Sequence, residues 1–235
     1  MTIKGILFDK DGTLIEANGT WVPVYKAMLA KEMNADESQV VELMCMAGYD
    51  VDTDGFKAGS VLAAGTIGQL VDIWWPQFDA AARREKVQKI NRDYAEEARL
   101  YMKPLMDLAP IFDELRAMDI LLGVATNDVH SSATYHMRAL GVHDYFAHII
   151  GADSVEIAKP SGQMIALFAE RTGLQLHEIA MVGDNSHDME EAQNGGAGLA
   201  IGVLTGNAKH SDIAHLADHV LGSVADIPNL LKQLA

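Results

Sequence analysis

Two aspartates, Asp9 and Asp11, are the residues of this sequence with the clearest capacity for chemistry. They follow an apolar run, Ile3 to Phe8, and precede a Gly-Thr turn. Because alternate residues of an extended chain point to the same side, this spacing places both carboxylates on one face at the end of a strand. Buried acids are costly unless they are paired or bound to metal, so the pair indicates a cation site or acid/base catalysis.

A simple turn and a calcium-binding loop are two other interpretations of this segment. Asp-Gly after a strand is common turn chemistry, and that interpretation stays open for the segment taken alone. An EF-hand loop fails on spacing, because Gly12 lies at the fourth position of such a loop instead of the sixth. Thr20 also stands where the bidentate glutamate belongs. Further segments downstream favour an enzyme.

Three later segments carry polar residues at predicted strand ends or in a loop. Thr126 and Asn127 follow an apolar run, although a Thr-Asn pair there could also be an ordinary helix N-cap. Lys159 lies in Ala-Lys-Pro and supplies a point charge suited to phosphate, but alone it could be an exposed loop lysine. Asp184 ends another apolar run, and a spacing of four puts Asp188 on the same side of a helical turn.

In this order the four segments resemble the motifs of the haloacid dehalogenase-like (HAD) hydrolases. The helical stretch after the first motif and the segments 202–206 and 217–221 near the end of the chain resemble the phosphoglycolate phosphatase-like subgroup, which has a helical cap inserted after the first motif. One departure occurs at 159–162, where the chain has Lys-Pro-Ser-Gly and the family commonly has Lys-Pro-x-Pro. The departure concerns the shape of this loop more than the role of its lysine.

The resemblance implies a phosphatase with assigned catalytic and phosphate-binding residues. Asp9 would attack phosphorus and form an aspartyl phosphate, and Asp11 would protonate the leaving alcohol and then activate water. Thr126, the backbone N–H of Asn127 and Lys159 would stabilise the charge on the phosphoryl oxygens. The expected substrate is a small phosphorylated metabolite, 2-phosphoglycolate or a similarly small phosphomonoester.

The resemblance also implies a Mg²⁺ ion. Asp9, the backbone carbonyl of Asp11, and Asp184 would be its protein ligands, because Mg²⁺ takes oxygen ligands and keeps several waters. Asp188 is expected to orient a metal-bound water. Thr13 is expected to brace Asp11 by a hydrogen bond.

Rival functions remain at this stage. A dehalogenase or a phosphonatase of the same superfamily should lack the second acid, so Asp11 argues against both. A phosphomutase of the β-phosphoglucomutase type would retain Asp11 and is harder to exclude. A non-catalytic binding protein on the same scaffold is the alternative from another class, and the presence of every chemical position argues against it.

The elements that must position these residues fall into two groups. Strands that alternate with helices from Pro104 onward indicate βαβ units, hence an α/β fold with a Rossmann-like parallel sheet and helices on both faces. The polar residues would lie at the carboxyl ends of its strands. From about Asn18 to Met102 the pattern is helical, with Asp36, Thr66 and Asp79 as N-caps. The expected domains are a catalytic core (1–16 and 104–235) and an all-helical cap (17–103).

One segment of the expected cap could help select the substrate. The stretch from Asp54 to Thr66 is rich in glycine, and Lys57 and Ser60 offer polar groups that could reach over the active site. The alternative is a mere helix connector, and the sequence leaves both open.

Composition sets outer bounds on function. The 235 residues can bury a sizeable core, and the formal net charge of -15 opposes binding to nucleic acid or anionic membranes. No apolar stretch is long enough for a membrane span, and the chain starts in a strand without a leader, so a cytoplasmic location is expected. The single cysteine, Cys45, is expected to be a small core residue of a helix. Oligomeric state is not readable.

Overall fold

The structure is a computed structural model that describes residues 2–234. None of the helices in that range combines the length and the apolar character that a membrane span requires. The strands are β1 (Gly5–Phe8), β2 (Tyr49–Asp50), β3 (Gly55–Phe56), β4 (Leu121–Ala125), β5 (Phe146–Ile150), β6 (Ile179–Gly183), β7 (Leu199–Val203) and β8 (His219–Leu221). The α-helices are α1 (Ala17–Met33), α2 (Glu37–Met46), α3 (Val61–Ala64), α4 (Ile67–Trp74), α5 (Ala80–Ala98), α6 (Ala109–Ala117), α7 (His130–Ala139), α8 (Gln163–Thr172), α9 (Ser186–Gly195), α10 (His210–Ile213) and α11 (Ile227–Leu234).

The main sheet has six parallel strands in the order β5-β4-β1-β6-β7-β8. β1 lies inside it, where Phe8 is in register with Val124 of β4 and with Val182 of β6. The first strand therefore ends beside the ends of two strands that come much later in the chain. The predicted Rossmann-like parallel sheet is confirmed.

Alternating side chains of the strands pack against helices on opposite faces of the sheet. Ile6 and Phe8 of β1 belong to a hydrophobic cluster with residues of α6, α7 and α11. Leu7, between them, belongs to a second cluster with residues of α8 and α9. A sheet covered on both faces explains why its strands are almost continuously apolar.

The helices between β1 and the rest of the sheet have a hydrophobic cluster of their own. All of its buried members lie between Val22 and Ala98, and Tyr25 is in aromatic contact with Trp74 and with Phe56. We refer to the segment 17–103 as the cap and to the remainder as the core.

The predicted N-caps of three cap helices are confirmed. The side chains of Asp36, Thr66 and Asp79 each accept hydrogen bonds from backbone N–H groups in the first turn of α2, α4 and α5. The pattern did not reveal the small antiparallel hairpin of β2 and β3. Two residues per strand are too few to display an alternation, so the cap contains a hairpin as well as helices.

The expected burial of Cys45 is wrong. Val40 and Met44 are the buried residues of α2, and Cys45 is exposed. One residue further along a helix is a rotation of roughly 100°, which carries the cysteine off the buried face.

Candidate active site

Asp9 lies at the C-terminal end of β1, at the bottom of a cavity between core and cap. Its backbone N–H donates to the Val182 carbonyl, which extends the pairing with β6 by one residue and fixes where the side chain emerges. Asp9 lines the cavity, and the residue is only 8% exposed. The end of the strand thus places a buried carboxylate in the wall of the cavity.

Lys159 joins Asp9 to Asp188. Its Nζ donates to Asp9 Oδ1 and to Asp188 Oδ1, each at 2.6 Å, and all three side chains are buried. Burial alone would lower the pKa of Lys159, but the charges of Asp188 and Asp9 outweigh burial and raise it. The lysine is therefore a fixed cation beside Asp9 at neutral pH.

Three buried carboxylates converge at this point. Oxygens of Asp9, Asp184 and Asp188 lie within 4.8 Å of one another. Burial raises the pKa of Asp9 to about 7, with Lys159 opposing the shift, and burial with the charge of Asp9 raises the pKa of Asp184 well above its usual value. Negative charge is thus undercompensated here, and a hard divalent cation with oxygen ligands fits this donor set.

Two glycines leave room for the Asp184 carboxylate. Gly12 has a φ of +89°, and a Cβ built on it would lie 2.6 Å from the carboxyl group of Asp184. A Cβ on Gly206 would lie 1.7 Å from Asp184 Oδ2.

The expected contact of Thr13 with Asp11 is wrong, because the Thr13 hydroxyl instead donates to Asp184 Oδ1 at 3.4 Å. The turn after β1 is therefore built around Asp184.

Asp11 is held from both sides by groups that the motif pattern did not reveal. Trp21 Nε1, from α1 of the cap, donates to Asp11 Oδ1 at 2.6 Å. Lys10 Nζ, which is fully buried, lies 2.6 Å from Asp11 Oδ2. The Asp11 side chain lies outside the cluster of three converging carboxylates, so only its backbone carbonyl remains a candidate ligand, as the motif resemblance implies.

Lys10 also connects Asp11 to a buried network behind the cavity. Its Nζ lies 3.3 Å from Asp128 Oδ2 and 3.5 Å from His136 Nδ1. Burial and the Lys10 charge lower the pKa of His136, so the imidazole is neutral. Since the Ala95 carbonyl can only accept, His136 Nε2 carries the proton and donates to it at 2.9 Å. Helix α5 of the cap is thereby bonded to the core.

Thr126 and Asn127 follow β4 and both line the cavity. Thr126 is buried, and its hydroxyl accepts from the backbone N–H of Asp128 at 3.1 Å, as an N-cap would. The Asn127 side chain donates to the Ala64 carbonyl of the cap at 2.7 Å and accepts from the Lys159 backbone N–H at 3.0 Å. The structure thus brings all the residues predicted for catalysis, phosphate binding and metal binding to one cavity.

Asp188 has both carboxylate oxygens engaged by the protein. Oδ1 accepts from Lys159, and Oδ2 accepts from the backbone N–H of Asn185 at 3.0 Å. His187, in the first turn of α9, lines the cavity, and its Nδ1 is buried without a partner among residues 2–234.

The glycine-rich stretch of the cap reaches the cavity through residues other than the expected ones. Lys57 is exposed, and Ser60 caps α3 by accepting from the Ala63 N–H at 3.3 Å. Leu62 to Gly65, just after this point, line the cavity, and neither Lys57 nor Ser60 does.

Comparison with known proteins agrees with this geometry. A family model of haloacid dehalogenase-like hydrolases matches residues 3–196. The chain therefore belongs to the haloacid dehalogenase-like hydrolases, which confirms the family predicted from the motifs and makes the protein an enzyme.

Relatives within the family extend over nearly the whole chain. The phosphoglycolate phosphatase of Escherichia coli K12 is 29% identical over 216 residues, covering 88% of this chain and 84% of that protein. The phosphoglycolate phosphatase of Pectobacterium atrosepticum is 27% identical over 240 residues, covering 97% and 92%. The crystal structure of a predicted phosphoglycolate phosphatase from Haemophilus somnus aligns with a TM-score of 0.74 at 21% identity over 98% of each chain.

Proposed function

We propose that this hydrolase is a Mg²⁺-dependent phosphatase that cleaves a small phosphomonoester through an aspartyl phosphate on Asp9. The observation that carries the proposal is the position of Asp9. It is a buried carboxylate at the bottom of the cavity, 2.6 Å from a lysine ammonium and beside two further buried carboxylates. The relatives described as phosphoglycolate phosphatases support the same reaction class.

Asp9 is the nucleophile in this proposal. One of its oxygens attacks phosphorus while the bond from phosphorus to the leaving oxygen breaks, and the phosphoryl group is transferred to Asp9. Lys159 and the backbone N–H of Asn127 stabilise the negative charge on the transferring group, together with the hydroxyl of Thr126. Asp11 donates its proton to the leaving alcohol and then takes a proton from the water that cleaves the aspartyl phosphate.

A Mg²⁺ ion would be held by Asp9, by the backbone carbonyl of Asp11 and by Asp184. When bound, it supplies positive charge against the phosphoryl oxygens and orients them for in-line attack. Asp188 would orient a water of the ion, because Lys159 and the Asn185 N–H already occupy its two oxygens.

The size of the cavity supports a small substrate. It encloses about 60 Å³ between Asp9 and the cap. A water molecule occupies roughly 10–15 Å³ on this scale, so the space suits a phosphoryl group carrying a few atoms, of the size of 2-phosphoglycolate. In this proposal the cap, residues 17–103, closes over the core, residues 1–16 and 104–235, and excludes bulk water.

Phosphate release by the purified protein tests the proposal. We expect Mg²⁺-dependent hydrolysis of small phosphate esters, and a phosphoryl adduct of about 80 Da on the peptide carrying Asp9 after an acid quench. Asp9→Asn should abolish both and keep the circular dichroism spectrum of the wild type. Asp52→Asn, on an exposed turn, is the matched control and should keep full activity.

Three outcomes would contradict the proposal. Hydrolysis by a folded Asp9→Asn variant would exclude Asp9 as the nucleophile. Transfer of the phosphoryl group between positions of a sugar phosphate, without release of inorganic phosphate, would identify a mutase. Failure to cleave any ester while still binding phosphate would identify a non-catalytic binding protein.

A further inference from the structure

The cap contributes only uncharged side chains to the wall of the active-site cavity. Among the described residues of the segment 17–103, no lysine, arginine or histidine lines it. The wall is apolar and aromatic, formed by Ala17, Trp21, Tyr25, Phe56, Leu62, Ala63, Ala64, Gly65 and Ile67. In the proposed function, this part of the cavity would face the leaving group of a substrate whose phosphoryl group lies at Asp9.

Several polar groups of this wall already have partners within the protein. Trp21 Nε1 donates to Asp11, and the Ala64 carbonyl accepts from Asn127. The start of α4 has its own partners, because Thr66 Oγ1 accepts from the Gln69 N–H and Gln69 Oε1 accepts from the Thr66 N–H. The wall therefore offers no cation to a second anionic group, and its remaining donors, such as the Tyr25 hydroxyl, are neutral.

The core side of the cavity is strongly acidic. Among the described residues, five carboxylates line the cavity, and Lys159 and His187 are the lining residues with basic side chains. The five carboxylates are those of Asp9, Asp11, Asp128, Asp184 and Asp188. A phosphomonoester brings close to two further negative charges. A divalent cation and Lys159 would offset this charge next to Asp9, but the described residues of the cap add no cation to the cavity.

From this distribution of charge we infer that the physiological substrate is a small phosphomonoester of an uncharged alcohol. The inference rests on the proposed function and narrows its substrate class. An ester whose alcohol carries a carboxylate, such as 2-phosphoglycolate, fits by size, but its carboxylate would be desolvated against an apolar wall without a counterion. This chain then differs in leaving-group preference from what the names of its relatives at 27–29% identity describe.

A matched pair of substrates tests the inference. 2-Phosphoglycolate and its amide, carbamoylmethyl phosphate, have the same number of heavy atoms and differ in the charge of the group that faces the cap. We expect kcat/KM to be at least 10-fold higher for the amide. An equal or higher kcat/KM for 2-phosphoglycolate would overturn the inference and leave the proposed phosphatase intact. Inactivity toward every phosphate ester would instead overturn the proposed function, and the inference with it.

A charge placed in the cap wall tests the cause of the preference. Ile67 is half-buried and lines the cavity. Ile67→Lys should shift the ratio of kcat/KM for 2-phosphoglycolate over the amide upward by at least 10-fold. Ile67→Gln, of similar length and uncharged, should change that ratio by less than about threefold.

Ala63→Lys and Ala63→Gln form a second pair at another half-buried position of the same wall, should Ile67→Lys fail to fold. Folding is checked for each variant by its circular dichroism spectrum and melting temperature. A folded lysine variant at either position with the wild-type ratio would count against the absence of a cation as the cause.

Discussion

The side-chain amide of Asn127 donates a 2.7 Å hydrogen bond to the carbonyl oxygen of Ala64 and so bonds the core to the cap above the active-site cavity. The same side chain donates to the Lys159 carbonyl at 3.2 Å and accepts from the Lys159 N–H at 3.0 Å. One residue thus positions the backbone that carries the lysine and contacts the cap that covers it. Asn127 therefore links the backbone of Lys159 to the Ala64 carbonyl of the cap.

Asn127→Asp is expected to lower kcat/KM by about 10–100-fold while the fold is kept, because a carboxylate cannot donate to either carbonyl and repels both. Steady-state kinetics would measure the loss. Asn194→Asp is the control, since Asn194 also donates to a backbone carbonyl, that of Pro160, but is exposed and does not line the cavity. A similar loss of kcat/KM in both variants would show that activity depends on the loop around Lys159 and Pro160, and not on the hydrogen bond from Asn127 to the cap.

Removal of the divalent ion is expected to inactivate the enzyme and to lower its melting temperature. Binding to the folded state alone stabilises a protein in proportion to the logarithm of ligand concentration, so Mg²⁺ titration should raise the melting temperature of the wild type. Asp184→Asn should lose most of this shift. We expect Ca²⁺ to inhibit, because its longer bonds and higher coordination number let Asp9 bind through both oxygens. Full activity in EDTA would refute the assignment.

Gly206→Ala is expected to reduce activity at least 10-fold and to weaken Mg²⁺ binding, because the new Cβ would occupy space within 1.7 Å of Asp184 Oδ2. Isothermal titration of Mg²⁺ would measure the binding. Gly222→Ala is a suitable control, since its Cβ would meet only the far end of the Asp226 side chain, at 3.3 Å. Wild-type binding by Gly206→Ala would mean that Asp184 does not need its present position.

Glu32 makes the stability of the cap dependent on pH. Burial would raise its pKa, but bonds from Lys89, Lys86 and Tyr94 outweigh burial and lower the pKa to about 2 from 4.5. A carboxyl group whose pKa is lower in the folded than in the unfolded state stabilises the fold. This contribution is complete above the pKa of the unfolded state, near 4.5, and is lost as the pH falls toward 2.

Glu32→Gln should therefore destabilise the protein at pH 7 by about 1 kcal/mol, a figure reduced for solvent screening. Urea unfolding at pH 7, 5 and 3 would show the difference from wild type shrinking as the pH falls. The same difference at all three values would mean that packing, and not charge, is what the substitution removes.

The predictions from sequence succeeded where the chain itself sets the geometry. Asp9, Thr126 and Asp184 each follow an apolar strand, and in a parallel sheet the ends of neighbouring strands meet at one edge. N-caps such as Asp36 were also predictable, because a cap bonds to its own helix within three residues.

The predictions failed where a partner lies far away in the chain. Trp21 and Lys10 both contact Asp11, but whether α1 turns its indole toward the site depends on how the cap packs on the core. The sequence held one indication for Lys10 that was not used. It lies between the two motif aspartates at the end of a buried strand, and in the structure it is fully buried. Thr13 illustrates the same limit, because a hydroxyl two residues from Asp11 bonds instead to Asp184.

The place of the cap in the chain has a consequence for protein synthesis. The buried residues of the cap cluster lie between Val22 and Ala98, so this cluster can form before β4 and β6, the two neighbours of β1, have been translated. Until Val182 leaves the ribosome, Gly5–Phe8 is an apolar strand without its full set of partners, which is the kind of segment that chaperones bind and that aggregates when left exposed. A nascent chain that ends before β6 would therefore hold all the residues of the cap cluster, while β1 still lacks one of its two neighbouring strands.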